Sequence, residues 1–365
     1  MAALKGIHMD QKKLQRLLQT LTIWYESHAR ELPWRACVTP YRVWVSEIML
    51  QQTRVEAVKP YFARFIEALP DIAALAQCEE ERLLKLWEGL GYYNRVRNMQ
   101  KAAQILTEQY GGEMPANYDT LLSLPGIGSY TAGAIASIAF GLPEPAVDGN
   151  VLRVLTRVFD DHSDIAKQSF KKQTESVLRE AMRRICTSGP SAGMVNQALM
   201  ELGATVCVPN GEPKCAECPW RKHCRAKQAG TAEALPVKTG KKPRRIEDRT
   251  ILIIRDESRI VLCRRPEKGL LAGMYEFPNL EGHLTPEEAI EAVRGMHLSP
   301  LHIRQAQKAK HIFSHVEWHM EAYVVRVDTA DPLPDDLLFV EIEEQRRSYP
   351  VPSAYAAYLR LIDGK

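Results

Sequence analysis

Four cysteines crowd into one short stretch of this chain. Cys207, Cys215, Cys218 and Cys224 are separated by seven, two and five residues, and Pro209, Pro213 and Pro219 stiffen the loop that carries them. Four thiolates in a compact loop can enclose a [4Fe–4S] cluster or a tetrahedral zinc, and the spacing does not choose between the two. The plain alternative is a set of unrelated structural thiols. They are half of the chain's eight cysteines. Lys5, His8, Asp10, Lys12 and Lys13 interrupt any apolar run at the N-terminus, so no secretory signal is expected. Clustered thiols in that setting point to metal ligation rather than to a disulfide framework. No uninterrupted apolar stretch is long enough to span a bilayer, so the expected location is cytoplasmic.

A chain of 365 residues implies two or three domains at roughly 150 residues per domain. With 45% hydrophobic and 25% charged residues it resembles neither a disordered nor a fibrous chain. Net charge is +3, but Cys207 to Arg249 holds 11 Lys/Arg against 5 Asp/Glu, so the remainder is acidic overall. A concentrated basic stretch points to a polyanionic partner.

Apolar periodicity predicts helices for most of the first 225 residues. Leu14, Leu17, Leu18, Leu21 and Trp24 mark the first. Val43 to Gln52, Val55 to Ala68, Glu79 to Glu88, Asn94 to Tyr110, Thr131 to Phe140, Val151 to Phe159, Ser169 to Cys186 and Ala192 to Thr205 follow. From Ala226 to Arg245 the pattern fades into Gly, Thr, Pro, Lys and Arg, which reads as a linker. Strand-like runs then appear at Thr250 to Ile254, Arg259 to Arg264 and Trp318 to Val327, with helices expected at Pro286 to Gly295 and Tyr355 to Ile362. This second part reads as a small mixed α/β domain.

Three further places could carry chemistry. Leu124-Pro125-Gly126-Ile127-Gly128-Ser129-Tyr130-Thr131 lies between two helical patterns. Gly126 and Gly128 permit a tight turn that leaves backbone N–H groups free for a phosphate; taken alone, it could equally be a bare helix connection. Glu47 has Val43, Trp44, Leu50 and Gln51 as helical neighbours. Desolvation there would make it a general acid near neutral pH, although spacing alone favours a side chain at the stripe's edge reaching water. Asp148, in Val147-Asp148-Gly149-Asn150, reads first as a helix cap or turn former.

Together these motifs resemble a known family. Glu47 within Trp44-Val45-Ser46-Glu47-Ile48-Met49-Leu50-Gln51-Gln52-Thr53, the hairpin at Leu124 to Gly128, Asp148-Gly149-Asn150 and the cysteine loop occur in the order found in the helix-hairpin-helix DNA glycosylases of the endonuclease III superfamily. Within it the chain is similar to the MutY family of adenine DNA glycosylases over nearly its whole length. The resemblance implies a multidomain fold class: an all-α helix-hairpin-helix glycosylase region with an iron–sulfur module, followed by a small α/β Nudix-like domain. It implies a catalytic region at 1–225, with a six-helix-barrel module about 33–141 and an iron–sulfur module about 10–32 plus 142–225. A basic linker at 226–246 and a Nudix-like lesion-recognition domain at 247–365 complete it. The implied cofactor is a [4Fe–4S] cluster on Cys207, Cys215, Cys218 and Cys224. The first cysteine spacing is one residue longer than is usual in the family, and the extra residue, around Asn210-Gly211, is expected to bulge outward.

The implied activity is hydrolysis of the N-glycosidic bond of adenine mispaired with 8-oxoguanine or guanine. The implied partner is double-stranded DNA, bound by a monomer associated with chromosomal DNA and with no membrane. Such cleavage needs a protonated leaving base and a stabilised oxocarbenium-like sugar, which two carboxyl groups in different environments can supply. By resemblance Glu47 protonates adenine, most simply at N7, while Asp148 stays ionised and stabilises or transiently attacks the sugar cation. Tyr130 and Asn150 match supporting positions. Bifunctional members carry a lysine nucleophile at this hairpin position; Ser129-Tyr130-Thr131 has none, which implies excision without an efficient lyase step. The target adenine must be flipped out of the duplex. Gln52 and Tyr92 match residues beside the opposing base, and Trp34, Arg35, Leu50 and Glu201 correspond to the adenine pocket.

In the C-terminal domain, Gly282 to Gly295 holds Glu287, Glu288 and Glu291 without the Arg-Glu and Glu-Glu pattern of Nudix hydrolases, so metal-dependent hydrolysis is not expected there. Phe313-Ser314-His315 matches the family's 8-oxoguanine recognition loop, and a hydroxyl that both donates and accepts suits the altered C8 and N7 of that lesion. Lys238, Lys241, Lys242, Arg244 and Arg245 are expected to run beside DNA or to bridge the domains, unless they are simply solvated. The rivals are a thymine- or uracil-excising enzyme of the same superfamily, a non-catalytic lesion-binding protein and a zinc-stapled regulator.

Overall fold

The periodic apolar stripes of the first part fold as helices in the computed structural model, which describes residues 10–240, 243–328, 334 and 337–362. Lys5, His8, Lys241 and Lys242, used above, lie outside the described residues. Helix α1 (Gln11–His28) is capped by Asp10, whose carboxylate accepts from the N–H groups of Lys12 and Lys13. It is followed by α2 (Pro33–Ala36), α3 (Pro40–Met49), α4 (Val55–Ala68), α5 (Ile72–Gln77), α6 (Glu80–Trp87), α7 (Asn94–Tyr110) and α8 (Tyr118–Ser123). Next come α9 (Ser129–Phe140), α10 (Gly149–Phe159), α11 (Gln168–Ile185), α12 (Ala192–Thr205) and α13 (Arg225–Ala229). Helix α3 starts earlier than its apolar pattern, because Thr39 caps it and Pro40 fills the first turn. Helices α5 and α8 are too short to register as periodicity.

The described residues divide into two compact units, one within Met1–Gln77 and Asn98–Gly240, the other within Cys78–Arg97 and Lys241–Lys365. In the first, one core joins Leu14 and Leu18 of α1 with Val154 of α10, Leu178 of α11 and Leu199 of α12, all fully buried. Burying each such side chain contributes about 1.5–3 kcal/mol. Trp220, also fully buried, donates its indole N–H to the Leu17 carbonyl at 2.9 Å. That bond pins the cysteine loop to α1.

The stretch expected as a linker from Ala226 is packed as far as Thr239. Ala226 and Leu235 are buried, the Ile165 N–H donates to the Val237 carbonyl at 3.1 Å, and the Thr239 hydroxyl donates to Asp164 at 2.6 Å. Composition registered its lysines and glycines but not the two apolar anchors.

In the second unit a mixed sheet forms from β1 (Arg245–Arg255), β2 (Arg259–Arg264), β3 (Tyr275–Glu276), β4 (Asn279–Glu281), β5 (Pro300–Gln305), β6 (Ala309–Ile312), β7 (Val316–Val327) and β8 (Leu337–Glu341). The order is β3-β2-β1-β7-β5, with β4 beside β1, β6 beside β7 and β8 beside β2. β1 and β7 run parallel, from Arg245 opposite Val316 to Arg255 opposite Arg326. Alternate side chains serve two cores. Leu252, Ile254, Tyr323 and Val325 pack on Ala289 and Val293 of α14 (Pro286–Gly295). Ile251, Ile253, Trp318 and Met320 pack with Tyr355 and Tyr358. The C-terminal segment contains α15 (Ile342–Ser348), and the single helix expected after Tyr355 is a 3-10 turn at Ser353–Tyr355 followed by α16 (Ala356–Leu359). An all-α region followed by a mixed-sheet α/β unit is the expected fold class. Among the described residues no helix is long and apolar enough to cross a membrane.

The turn between α8 and α9 depends on Gly126. Its φ is +76°, and a Cβ there would come within 2.7 Å of the Asn98 Cβ. Gly126→Ala should therefore destabilise the protein by roughly 1–3 kcal/mol. Gly111→Ala, where φ is +62° but nothing lies within 4 Å of the added carbon, carries only the backbone cost. Urea unfolding of the two variants measures the difference.

Candidate active site

Helix α3 carries Glu47 into the interior. The residue is 6% exposed, contrary to what spacing alone favoured. That spacing recorded only the helix's own stripe, whereas every residue from Val43 to Met49 is buried. The partner is α9, built from small residues such as Ala132, Gly133, Ala134 and Ala136, which allow close approach. In the first turn of α9, the Tyr130 hydroxyl donates to Glu47 Oε2 at 2.5 Å, and Met200 Sδ lies 3.7 Å from the same oxygen of Tyr130. Burial raises the Glu47 carboxyl to about 7; the bond from Tyr130 opposes this, nearby Asp148 adds to it and Arg35 opposes it. The phenol of Tyr130 is raised well above its ordinary range by burial and by the two carboxylates, so it stays a donor.

Asp148 is the cap of α10, as the local pattern indicated. Its Oδ1 accepts from the Val151 N–H at 2.8 Å, and its Oδ2 accepts from Asn150 Nδ2 at 2.6 Å. Burial pushes its carboxyl up, while these donors and the charge of Arg153 pull it back. Two carboxyl groups that sense one another do not both ionise easily. Asp148 has several donors for its anion and Glu47 has one, so the shared proton belongs on Glu47.

Asn150 is itself held. Arg153 Nη2 donates to Asn150 Oδ1 and to the Gly203 carbonyl, both at 2.9 Å, and Arg153 Nε donates to the Cys207 carbonyl at 2.8 Å. One turn later Arg157 Nη1 lies 3.3 Å from Cys207 Sγ and 2.9 Å from the Val208 carbonyl. Both guanidiniums are buried. Helix α10 thus connects the carboxylate at its N-terminus to the cysteine loop. The sequence analysis passed over Arg153 and Arg157; their signal is a pair of arginines four apart on an otherwise apolar helix.

Cys207, Cys215, Cys218 and Cys224 line one small cavity beside Arg157. Burial pushes Cys218 up to about 12 and raises Cys215 and Cys224, and each of these also feels the other thiolates. Four thiols around one cavity are the donor type a metal cluster takes, and each would have to give up its proton on binding. Among the described residues no group of three or more His, Cys, Asp or Glu is placed to hold a metal ion. Asn210 and Gly211 are exposed, with Gly211 at φ +75°, so the longer first spacing does bulge outward.

Glu201 of α12 is fully buried, between Arg30 Nε at 2.5 Å and Arg35 Nη2 at 2.8 Å. Burial pushes its carboxyl up, but the two guanidiniums overcome that and hold it below its ordinary range. Arg35 and Glu201 are therefore joined directly, and an Arg30 that sequence reasoning missed holds the other carboxylate oxygen. Trp34 packs edge-on against Phe62 at 5.5 Å, and Leu50 caps α3. Gln52 has φ +60°, an uncommon conformation for a residue other than glycine.

In the second unit Tyr92 shares that strain, at φ +50°, with 47% of its surface exposed. The Ser314 hydroxyl donates to the Tyr92 oxygen at 3.2 Å. Phe313, Ser314 and His315 form the turn from β6 to β7, closed by the Phe313 N–H donating to the Val316 carbonyl at 2.8 Å. Arg244 Nε donates to the Phe313 carbonyl and the Arg245 N–H to the His315 carbonyl, both at 3.0 Å. These two basic residues, expected beside DNA or between domains, thus brace the turn. The Phe313 ring stands edge-on to Trp318 at 4.9 Å. Tyr92, Ser314, Phe313 and His315 border a cavity of about 580 Å³. On α14, Glu288 closes a capping box with Thr285 and Glu291 pairs with Arg294 at 2.5 Å, so two of its three carboxylates have structural partners.

Residues 45–180 match the HhH-GPD superfamily of base excision DNA repair proteins, and residues 249–361 match the NUDIX domain. The adenine DNA glycosylase of Homo sapiens is 33% identical, over 91% of this chain and 71% of its own. That of Buchnera aphidicola subsp. Acyrthosiphon pisum is 34% identical, over 85% of this chain and 86% of its own. Among solved structures, a thermostable thymine-DNA glycosylase superposes with a TM-score of 0.52 at 25% identity, covering 60% of this chain and 100% of that one.

If Glu47 acts as the acid, its protonated fraction sets the rate, and activity should fall as pH rises through about 7. At the acid end activity should fall again as Asp148 takes up a proton. Single-turnover excision across the pH range reads both limbs, and Glu47→Gln should lower the rate by about 100- to 10,000-fold.

Proposed function

The chain belongs to the adenine DNA glycosylase family, and on that premise we propose that it hydrolyses the N-glycosidic bond of adenine mispaired with 8-oxoguanine or guanine in duplex DNA. It is an adenine-specific DNA N-glycosylase of base excision repair, with a helix-hairpin-helix region followed by a Nudix-like domain. The observation that carries the finer reading is the buried Glu47, bonded to Tyr130 at 2.5 Å and sensing the charge of Asp148.

In this reading Glu47 delivers its proton to the departing adenine, and Tyr130 aims it. Asp148 remains an anion on the sugar side and stabilises the oxocarbenium charge or attacks it transiently before water completes the hydrolysis. Asn150 orients that anion. Glu201 and Arg35 receive the flipped base with Trp34 and Leu50. The N–H groups at Gly126, Gly128 and the first turn of α9 hold a backbone phosphate. Gln52 and Tyr92, both in strained backbone, match by resemblance the residues that contact or wedge beside the opposing base. With no lysine at Tyr130 the enzyme is monofunctional, without an efficient lyase step, so a strong borohydride-trapped adduct that survives replacement of lysines elsewhere would count against this reading.

Cys207, Cys215, Cys218 and Cys224 would hold a [4Fe–4S] cluster. Its contribution here is structural, since the loop it would close is tied to α10 through Arg153 and Arg157. The domain reading remains a catalytic region, a basic connection and a lesion-reading domain, acting as a monomer on chromosomal DNA. Ser314, bonded to Tyr92 at the edge of an open cavity, supports recognition of 8-oxoguanine by that domain.

Duplexes carrying adenine opposite 8-oxoguanine, guanine or thymine test the proposal. Alkali after incubation should cleave the adenine strand in the first two and spare the third. Equal cleavage opposite thymine would sink it. Ser314→Ala combined with His315→Ala should reduce preference for the lesion over guanine by about tenfold, the worth of one or two hydrogen bonds. Paired single-turnover rates give that ratio.

A further inference from the structure

The segment that delivers Asp148, from Gly141 to Val147, has no regular secondary structure, yet Pro145, Ala146 and Val147 are buried. Buried irregular backbone needs partners for its peptide groups, and without them it drifts. It also lies very close to α9: a Cβ on Gly133 would come within 2.1 Å of the Pro145 carbonyl oxygen. Helix α9 thus supplies a floor, but a floor does not set position along the chain.

Asn196 on α12 supplies what is missing. It is fully buried, and its amide is fully used. Oδ1 accepts from the Ala146 N–H at 3.0 Å. Nδ2 donates to the Glu144 carbonyl at 2.8 Å and to Ser137 Oγ at 2.7 Å. Two of the three bonds grip the backbone two and four residues before Asp148. The third anchors the same amide to α9, the helix that carries Tyr130. One side chain therefore ties the approach to one carboxylate to the helix that orients the other.

We propose that Asn196 is a positioning residue for the glycosylase reaction, holding the segment before Asp148 so that this carboxylate meets the sugar while Tyr130 aims Glu47. The inference rests on the reading of Asp148 given above. Asn196 spends its polar atoms inside the protein and acts through Asp148. Removing the amide leaves the Ala146 N–H and the Glu144 carbonyl without their partners in the interior. The segment then shifts to find others, and Asp148 moves with it. Misplacement by about 1 Å costs on the order of 100-fold in rate.

The test compares Asn196→Ser, Asn196→Leu, Ser137→Ala and Asp148→Asn in the full chain. Single-turnover rates are measured with enzyme in excess over a duplex bearing adenine opposite 8-oxoguanine, alongside DNA affinity and thermal unfolding. Ser137→Ala removes only the anchor to α9 and leaves the grip on Glu144 and Ala146 intact, so its loss in rate should be clearly smaller than that of either Asn196 variant. Both Asn196 variants should lose roughly 10- to 100-fold in rate with affinity retained. Their acid limb should also move to higher pH, because a displaced Asp148 loses the donors that favour its anion. A folded Asn196 variant with unchanged rate overturns the proposal. So does an equal loss in Ser137→Ala, or failure of both Asn196 variants to fold, since the amide would then be holding the fold and not the carboxylate. Asp148→Asn separates the two readings: activity kept there defeats the catalytic assignment itself, whereas activity lost there but kept without Asn196 defeats only the positioning role.

Discussion

The loss of water around Glu47 is the constraint from which the rest of the site follows. A carboxyl enclosed between α3 and α9 cannot remain a cheap anion, and its proton is held near neutral pH. Close packing of those helices requires the run of alanine and glycine on α9. The same packing directs Tyr130 at the carboxyl instead of at solvent. A second carboxylate nearby raises the cost of charging Glu47 further, and it can stay an anion itself only if it has donors of its own. Asp148 has them, because a cap residue takes the free N–H groups of a helix start. One helix interior and one helix terminus thus place two similar groups in different environments, the first favouring the proton and the second supplying donors to the anion.

That terminus has to be held, and α10 shows how. Helix α10 is apolar along most of its length, yet Arg153 and Arg157 are buried in it. Buried guanidiniums are costly without acceptors, and the acceptors here are carbonyls of the cysteine loop together with Cys207 Sγ. The loop therefore needs the helix and the helix needs the loop. A group bound by the four thiols would stabilise α10 at its far end, away from Asp148.

Much of the architecture was legible in the sequence. Helices α4, α7 and α12 and strand β2 were bounded correctly, because long periodic or β-branched runs between Gly and Pro leave few alternatives. Helices α5 and α8 were missed because six residues hold less than two full turns. Glu47 was misjudged locally for a different reason: helical spacing describes one surface and is blind to the helix that covers the other. The segment after Ala226 failed likewise, since two buried side chains, Ala226 and Leu235, and bonds at Val237 and Thr239 secure a stretch that composition labels as tether. Arg30 and Asn196 were invisible for a common cause. Their side-chain partners lie between 50 and 171 residues away, and no local pattern encodes such distances.

Local readings were weak where the family motifs were strong, and this difference has a physical origin. A cap aspartate is an ordinary structural device, and most of them catalyse nothing. What distinguishes Asp148 is that its two oxygens are occupied by groups themselves fixed from elsewhere: Asn150 by Arg153, and the start of α10 by the packed core. Rigidity of that kind costs side-chain entropy and offers no gain in binding water. In the proposed reading it serves an anion that waits, unsatisfied by solvent, for a positive charge that exists briefly. The same logic applies to Gln52 and Tyr92, whose positive φ angles are maintained by their surroundings and not by preference. Strain at Gln52 and Tyr92 and buried charge at Glu47 and Arg153 therefore lie where the proposed chemistry needs them, although the same features occur elsewhere, as at Leu271 and Glu276, and the regular helices and sheet carry the stability that permits them.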